Sequence, residues 1–463
     1  MKKLLLASLL IVGCDTDENI AFTGSGHGPV SVGATRWAVS LGGTQGDHAW
    51  SVAVDTRGDV VAVGTAESNP VDFGSGPVMV PRAGWYHSFV TKRDASDGAE
   101  RWTRAMIPMT EASLVDALGV ATTPGDDVVV IGTYRGTVDF GGQTLTVSEL
   151  PEHIYDGFVA KYAPDGALRW VHGVDADADV WLRALAVDST GQIYVTGGFS
   201  GTIDLAGQSV TSHSPNGFDG VLAAYDPAGN MVWGAAFPGS AEQVSQDIGI
   251  AENGDIVVVG QFRGAASFGG PTYQATALTG FLTRYRSDGL YLSSRALANA
   301  NSLAQVSKVA FRGSQTIIQY GHDVPGQSGD SILEALDPAN TSLWSQSIAN
   351  QSDGPPYRTL AATDSGLLVS IAINNTLRFD ADPTTNHSQM EVVTFDEDGT
   401  GGRVTMWLTT GGNASVSDTA VGPGDSIAFA GSLAGSCDFG GAPVHTSGLQ
   451  DGNAVIIVTE PSH

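Results

Sequence analysis

Trp181-Leu-Arg-Ala-Leu-Ala-Val-Asp188-Ser-Thr-Gly191-Gln-Ile-Tyr-Val-Thr-Gly-Gly198 is the stretch that decides the fold of this 463-residue chain. Two runs rich in apolar and β-branched residues, 185–188 and 193–196, flank a short Ser-Thr-Gly connection, which predicts a β-hairpin. The same pattern recurs at Ser51-Val-Ala-Val-Asp55-Thr-Arg-Gly58-Asp-Val-Val-Ala-Val-Gly64 and at Ile248-Gly-Ile-Ala-Glu-Asn-Gly254-Asp-Ile-Val-Val-Val-Gly260. A hairpin that returns along the chain indicates a repeat architecture.

Tryptophans mark the period of the repeat. Successive spacings are 65, 68, 63, 111 and 63 residues, and the longest is close to two periods with one Trp missing near residues 292–297; the residues are Trp37, Trp102, Trp170, Trp233, Trp344 and Trp407. This gives seven units, each with four strands, the fourth carrying the Trp. Four strands per period predict an all-β fold, a seven-bladed β-propeller with four-stranded antiparallel blades. Units five and six are degraded, so six or eight blades remain open.

The two ends of the repeat predict how the ring closes. The chain begins its repeats with a Trp strand at 36–41 and ends them after a third-type strand at 454–459. The N-terminal strand is therefore expected to complete the last blade, which removes an open sheet edge. The predicted propeller domain spans residues 36–463.

The N-terminus predicts export. Met1-Lys2-Lys3 is positively charged, residues 4–12 are apolar, and Ile11-Val12-Gly13-Cys14 places small residues before a cysteine. This pattern is typical of a signal peptide, here residues 1–13, and the apolar run is too short to span a bilayer. The tetrad resembles the lipobox of bacterial lipoproteins. The resemblance implies a diacylated Cys14 and localisation at the bacterial cell envelope, on the periplasmic face or the outer surface. The segment that follows is rich in Asp, Gly, Ser and Thr and lacks periodicity, so residues 14–35 are expected to form a flexible tether.

Two motifs carry a resemblance to a propeller family. They are the Ala-Val-Asp-x-x-Gly hairpin and an insertion motif found at Gly136-Thr-Val-Asp139-Phe-Gly-Gly142, Gly201-Thr-Ile-Asp204-Leu-Ala-Gly207, Gly264-Ala-Ala-Ser267-Phe-Gly-Gly270 and Gly435-Ser-Cys-Asp438-Phe-Gly-Gly441. Over 36–463 the chain resembles bacterial β-propeller repeat (SBBP) lipoproteins and, more distantly, NHL and PQQ-type propellers. The offset of four residues between Gly and Trp, as at Gly166 and Trp170, resembles the tryptophan-docking motif, which implies that each Trp packs between blades. Such motifs specify an architecture and no activity.

Charge and cysteine content narrow the classes of partner. Forty-nine acidic residues against 22 Lys and Arg give a net charge of −27, which disfavours nucleic acid and suits a basic partner or a cation. Only Cys437 remains once Cys14 is lipidated, so no intramolecular disulfide is expected in the mature chain.

Charged residues near the starts of successive first strands are candidates for a site in the central channel. They are Asp116, Arg183, Asp247, Arg358 and Asp418. A mixed ring of charges there can bind a small polar ligand, whereas the alternative is a set of ion pairs between blades. The sequence assigns no catalytic residue.

Three alternating carboxylates, Asp175, Asp177 and Asp179, are candidate Ca²⁺ ligands. The loop departs from an EF-hand at Val180 and Ala186, and a solvated acidic loop is the alternative. No other cofactor is expected.

The sequence favours a binding or scaffolding module for a protein or glycan partner at the envelope, monomeric and attached to the membrane only through its lipid. The long connections between second and third strands lie on one face of the predicted disc and are its natural working surface. The alternative is a hydrolase or lyase acting on polysaccharide, with Asp116, Asp247 and Asp418 as its carboxylates.

Overall fold

The structure is a computed structural model, and it describes thirteen segments of the chain. The segments are residues 34–78, 87–147, 155–214, 217–297, 303–323, 330–348, 359–363, 366–373, 389–395, 403–410, 414–437, 444–445 and 452–460. Cys14, Arg358 and the predicted signal peptide lie outside them. Within these segments the chain forms β-strands and one short 3-10 helix, Pro423–Asp425. No helix there has the length and hydropathy needed to cross a membrane.

The first three blades each contain four antiparallel strands, numbered here in chain order. Blade 1 comprises β2 (Asp47–Val54), β3 (Val60–Ala66), β6 (His87–Arg93) and β7 (Glu100–Pro108), and β10 (Thr137–Asp139) and β11 (Thr144–Thr146) extend its outer edge. Blade 2 comprises β8 (Leu114–Thr122), β9 (Val128–Arg135), β12 (Asp156–Tyr162) and β13 (Leu168–Val174). Blade 3 comprises β14 (Val180–Val187), β15 (Ile193–Phe199), β18 (Asp219–Tyr225) and β19 (Met231–Phe237).

Three further blades follow the same order of pairing. Blade 4 comprises β20 (Gln243–Ile250), β21 (Ile256–Ser267), β22 (Thr272–Tyr285) and β23 (Tyr291–Leu297). Blade 5 comprises β24 (Leu303–Arg312), β25 (Gln315–Asp323), β26 (Asp330–Leu336) and β27 (Ser342–Ile348). The closing blade comprises β32 (Ala414–Val421), β33 (Ile427–Leu433), β36 (Asn453–Thr459) and β1 (Thr35–Leu41).

One more sheet lies between blade 5 and the closing blade, since β28 contacts both β24 and β32. It comprises β28 (Thr359–Thr363), β29 (Gly366–Ile373), β30 (Gln389–Phe395) and β31 (Arg403–Thr410), extended by β34 (Ser436–Cys437) and β35 (Val444–His445). The remaining strands form two small hairpins, β4 (Val71–Asp72) with β5 (Pro77–Val78) and β16 (Thr202–Leu205) with β17 (Gln208–Thr211).

The prediction of seven equivalent four-stranded blades is wrong and is corrected to six blades. Six sheets share a β-bulge in their first strand and are the blades of the propeller. The sheet β28–β31 differs from them, because the described part of β28 pairs with β29 without a register shift. In addition, two of the sheets have six strands rather than four. The predicted number of blades was wrong because it relied on Trp spacing across 297–407. The repeat is degraded there, and the blades were inferred only from the length of the segment.

The predicted hairpin and the predicted closure are both present. In the hairpin, Leu185 pairs with Val195, and the Asp188 carboxylate accepts hydrogen bonds from the backbone amides of Thr190 (2.8 Å) and Gln192 (3.0 Å). In the closing blade β1 pairs antiparallel with β36, with Ala38 opposite Ile457, and so becomes the outermost strand of that sheet.

The core lies at the seams between blades. Second and third strands such as β15 and β18 are buried along their whole length, because neighbouring blades cover both of their faces. Tryptophans occupy these seams as predicted. An ideal Cβ on Gly98, Gly166, Gly229 or Gly289 would lie within 3.0 Å of the Trp of the preceding blade, so glycine allows the indole to reach the turn.

Candidate functional site

A β-bulge interrupts the first strand of each of the six blades at the same place. The register shifts occur around Trp50, Leu118, Arg183, Gln246, Ser307 and Ser417. A bulge inserts one residue and re-aims the side chains beside it. The residues that follow the bulges are Ser51, Gly119, Ala184, Asp247, Lys308 and Asp418, and all six line one cavity of about 210 Å³ in the central channel.

Charge in this cavity centres on Lys308, which lies beside two carboxylates. Its Nζ is 3.5 Å from Asp418 Oδ1. The other oxygen of Asp418 accepts hydrogen bonds from Ser51 Oγ (2.7 Å) and from the amide of Val52 (3.1 Å). Asp247 Oδ2 accepts a hydrogen bond from the amide of Val309 at 2.9 Å. Each carboxylate therefore has a backbone donor and shares one ammonium group.

The two charge types in the channel stabilise each other. Burial raises the pKa of Asp247, and the neighbouring Lys308 acts in the opposite direction. Burial acts to lower the pKa of Lys308, but Asp247 and Asp418 hold it above its usual value. At neutral pH the lysine is thus a charged group that compensates both acids.

The structure brings together three of the five channel candidates. Arg183, Asp247 and Asp418 line the cavity. Asp116 is half-buried on β8, two residues before the bulge, and does not line the cavity; burial raises its pKa. Arg358 lies outside the described residues.

Sequence reasoning missed Lys308 and Ser51, although a signal for them exists. In five blades the residue after the bulge lies four positions before the first residue of the hairpin turn, as Ser51 precedes Asp55 and Asp247 precedes Ala251. In blade 5 the strand is one residue longer, and Lys308 lies five positions before Gly313. Counting back four or five positions from the turn therefore finds the residue in each of the six blades, whereas a search for charged residues near strand starts does not.

The three candidate Ca²⁺ ligands, Asp175, Asp177 and Asp179, have separate surroundings in the structure. Asp177 accepts a hydrogen bond from the amide of Thr202, and Asp179 Oδ1 accepts one from the amide of Tyr155 at 2.9 Å. Asp175 is exposed, and partial desolvation of its carboxyl group raises its pKa. Within the described segments no group of three or more His, Cys, Asp or Glu side chains is arranged to hold a metal ion.

An aromatic patch lies beside the channel on the face of the long connections. We define it as Tyr155, Trp181, Phe218 and Arg183. The Trp181 ring centroid is 6.1 Å from that of Tyr155 and 5.9 Å from that of Phe218, and the Arg183 guanidinium carbon lies 5.9 Å from the Trp181 ring centroid. Trp181 is 38% exposed, and Arg183 is also exposed. The patch therefore joins aromatic surface to a cation that also lines the channel cavity.

Comparison with known proteins gives a relation at the level of the fold. No protein-family model matches the chain. An uncharacterized WD repeat-containing protein of Acanthamoeba polyphaga mimivirus is 20% identical over 268 residues, which cover 50% of this chain and 18% of that protein. The chain thus spans less than one fifth of the length of this relative.

Three solved structures resemble the chain at low sequence identity. The β-propeller domain of the Trilobed protease from Pyrococcus furiosus has a TM-score of 0.43 at 10% identity, covering 84% of this chain and 92% of that one. For an ulvan lyase the TM-score is 0.45 at 9% identity, covering 85% and 93%. For the WD40 domain of fission yeast SCAP it is 0.32 at 10% identity, covering 96% and 98%. The chain is a β-propeller with WD-repeat-like relatives, and membership of the SBBP family stays a prediction.

Proposed function

We propose that the protein is a lipid-anchored propeller of the bacterial cell envelope that binds a protein partner through the face of its long connections. The observation that carries the proposal is the aromatic patch, which exposes Trp181 and Arg183 beside the channel mouth. Trp, Tyr and Arg are the residues most enriched at the energetic centres of protein interfaces. Propellers serve as binding scaffolds because their blades hold variable loops on a rigid frame.

The channel favours binding over catalysis. Glycoside hydrolysis needs two carboxyl groups that act as acid and as base or nucleophile. Here Asp418 contacts Lys308, Ser51 and a backbone amide, and Asp247 accepts from the amide of Val309. Both groups already contact donors within the chain, which favours a structural role in the channel over a role as a catalytic pair.

The charge of the chain suits a partner with a basic surface around an apolar centre. With a net charge of −27, the chain attracts positive surfaces over long distances. The aromatic patch would provide the short-range contacts once the partner has arrived. The alternative is that a glycan stacks on Trp181 in place of a protein partner.

The test compares the unmodified chain with Trp181→Ala in the native envelope. Each chain carries a photo-crosslinker on the face of the long connections, and crosslinking to a partner protein is measured. Loss of a large exposed aromatic from an interface should weaken partner binding at least about tenfold, the effect of a typical hot spot. Leu290→Ala is the control, because Leu290 is 52% exposed and follows the tight turn at Gly289, on the opposite face.

Three results decide the matter. Crosslinking to one protein that is lost in Trp181→Ala and kept in Leu290→Ala supports the proposal. Binding of purified glycans that depends on Trp181 would replace the protein partner by a polysaccharide. Equal crosslinking by both variants would remove the aromatic patch from the proposal.

A further inference from the structure

Three third strands carry a basic residue at one equivalent position. Lys92 pairs with Trp102, Lys161 with Trp170, and Arg284 with Ser293, each opposite the position of the seam tryptophan. The position lies beside the hairpin turn that joins the first and second strands of the same blade. The three blades can therefore be compared as internal copies of one another.

In blades 1 and 2 a carboxylate of that hairpin turn neutralises the base. Lys92 Nζ lies 2.6 Å from Oδ2 of Asp55, the first residue of its turn, and both side chains are fully buried. Lys161 Nζ lies 3.1 Å from Oδ2 of Asp127, the last residue of its turn. At this position of blades 1 and 2 the buried base is thus matched by a carboxylate.

Blade 4 keeps the base and lacks the contact. Arg284 is 2% exposed, yet the first residue of its turn is Ala251. Asp255 ends the turn and accepts a hydrogen bond from Asn253 Nδ2 at 2.9 Å instead. Among the described residues no carboxylate oxygen lies within 4.0 Å of a nitrogen of Arg284, the distance that defines an ion pair.

The hydrogen bonds of Arg284 go to neutral groups. Nε donates to Asn340 Oδ1 (2.6 Å), and Nη2 donates to Thr316 Oγ1 (2.8 Å) and to the carbonyl oxygen of Asp337 (3.4 Å). No hydrogen bond to a described residue uses Nη1. Nη1 therefore remains available as a donor to a further acceptor.

The same seam has also lost its tryptophan. At three other seams the indole Nε1 donates to a turn carbonyl of the next blade, that of Ala95, Pro164 or Ser287. In blade 4 Ser293 replaces the Trp, and its Oγ accepts a hydrogen bond from Asn340 Nδ2. The turn residue equivalent to Ala95 and Pro164 is Pro338, which faces open space.

A cavity of about 210 Å³ occupies this seam. Its lining residues are Ala251, Glu252, Asn253, Arg284, Ser314 and Pro338. Ala251 stands where blade 1 has its carboxylate, and Pro338 stands where an indole would dock. The cavity thus takes the place of the missing indole ring and acidic side chain, with Arg284 in its wall.

We propose that this cavity binds a small carboxylate, which supplies from outside the counter-ion that Asp55 and Asp127 supply in blades 1 and 2. Arg284 Nη1 can donate to a ligand carboxylate, and such a charge-assisted hydrogen bond is stronger than one between neutral groups. The cavity is smaller than the roughly 300 Å³ at which pockets for drug-sized ligands begin, so it suits an organic acid or one uronate unit. The proposal is independent of the partner surface, which lies on the opposite face.

Glu252 is the internal competitor for this role. It lines the cavity and is exposed, and it forms no ion pair with Arg284 in the structure. A ligand would meet its negative charge at the mouth of the cavity. Substituting Glu252→Gln should therefore strengthen carboxylate binding. If the ligand, rather than Glu252, is the natural counter-ion, the unmodified chain should bind the carboxylate as well.

The experiment measures acetate and glucuronate binding to the purified full-length chain by titration calorimetry, with inorganic phosphate as the comparison anion. Ala251→Asp restores the carboxylate of blade 1 within blade 4. It should weaken acetate binding at least about tenfold, because the guanidinium then has an internal partner. Thr123→Asp is the matched control, since it adds the same residue to the turn of blade 2, where Lys161 already has Asp127.

Binding that Ala251→Asp removes and Thr123→Asp keeps supports the site, and preference for glucuronate over acetate would identify a sugar acid as its ligand. No binding to the unmodified chain together with binding to Glu252→Gln would overturn the proposal in favour of Glu252. Absence of binding in both chains, or binding that Ala251→Asp leaves unchanged, would overturn it as well. Tighter binding of phosphate than of acetate would refute the assignment to carboxylates.

Discussion

At the scale of single residues, Asp156 is a buried acid among acids. It begins β12, is 4% exposed, and its Oδ1 lies 3.4 Å from the amide of Ala176. Burial and the negative charges of Asp175 and Asp179 raise its pKa to about 7. Two of the residues proposed from sequence as metal ligands thus act on the titration of a neighbouring carboxyl group.

This shift predicts a pH-dependent stability. Because the folded-state pKa lies above the ordinary value of 3.8, the folded chain holds the extra proton between these two values. The free energy of unfolding should therefore fall as pH rises from about 4 to about 7. Asp156→Asn, which cannot ionise, should flatten this decline and raise the Tm at pH 8.

Thermal unfolding of both chains across pH 4 to 8 measures the difference. Glu111→Gln is the control for charge, because Glu111 is exposed. A decline of equal slope in the unmodified chain and in Asp156→Asn would show that other groups determine the pH dependence.

At this scale the sequence is informative about turns and poor about long-range pairs. The roles of Asp55 and Asp188 in their own turns follow from local pattern, because the acceptor and donor are within four residues. Lys308 and Asp418 are 110 residues apart, and only the closure of the ring brings them within 3.5 Å. No local pattern contains that contact.

At the scale of elements, β1 is the strand on which closure depends. It pairs with β36 along its length and places Trp37, 7% exposed, against Gly98 of blade 1. Loss of the strand would expose the edge of β36 and empty the seam that Trp37 fills.

Deleting residues up to Leu41 should therefore lower the Tm strongly, since removing a buried Trp alone costs about 3 to 5 kcal/mol. A chain that begins at Ala34 retains β1 and is the control. Equal melting temperatures for the two chains would show that the closing blade is stable without its fourth strand.

Element prediction succeeded where the repeat is regular and failed where it is degraded. The hairpin at 185–196 carries both its turn residues and its apolar runs, so its strands and turn could be read directly. Across 297–407 the missing Trp and the altered turns removed those markers, and the number of blades was consequently overestimated. The bulges were not foreseen, because an inserted residue in a strand leaves no distinct pattern in a single sequence.

At the scale of the whole molecule, attachment to the membrane is predicted from sequence through Cys14. Cys14→Ser should move the chain from the membrane fraction to the soluble fraction, because two or three acyl chains on one residue are needed for stable anchoring. Cys437→Ser is the matched control and should remain with the membrane. Retention of Cys14→Ser in the membrane fraction, measured by immunoblotting after ultracentrifugation, would contradict lipidation.

The repeated bulge has a consequence for how such a protein diversifies. It directs one side chain of each blade into the channel, while backbone hydrogen bonds between the first and second strands hold the hairpin in place. Among the six blades that position holds a hydroxyl, an ammonium, two carboxylates, a methyl group and a hydrogen atom, all on nearly the same frame. A single codon change in any blade can therefore replace one of the fifteen residues that line the cavity and leave the pairing of the strands unchanged, so relatives of this chain can acquire new ligands without acquiring a new shape.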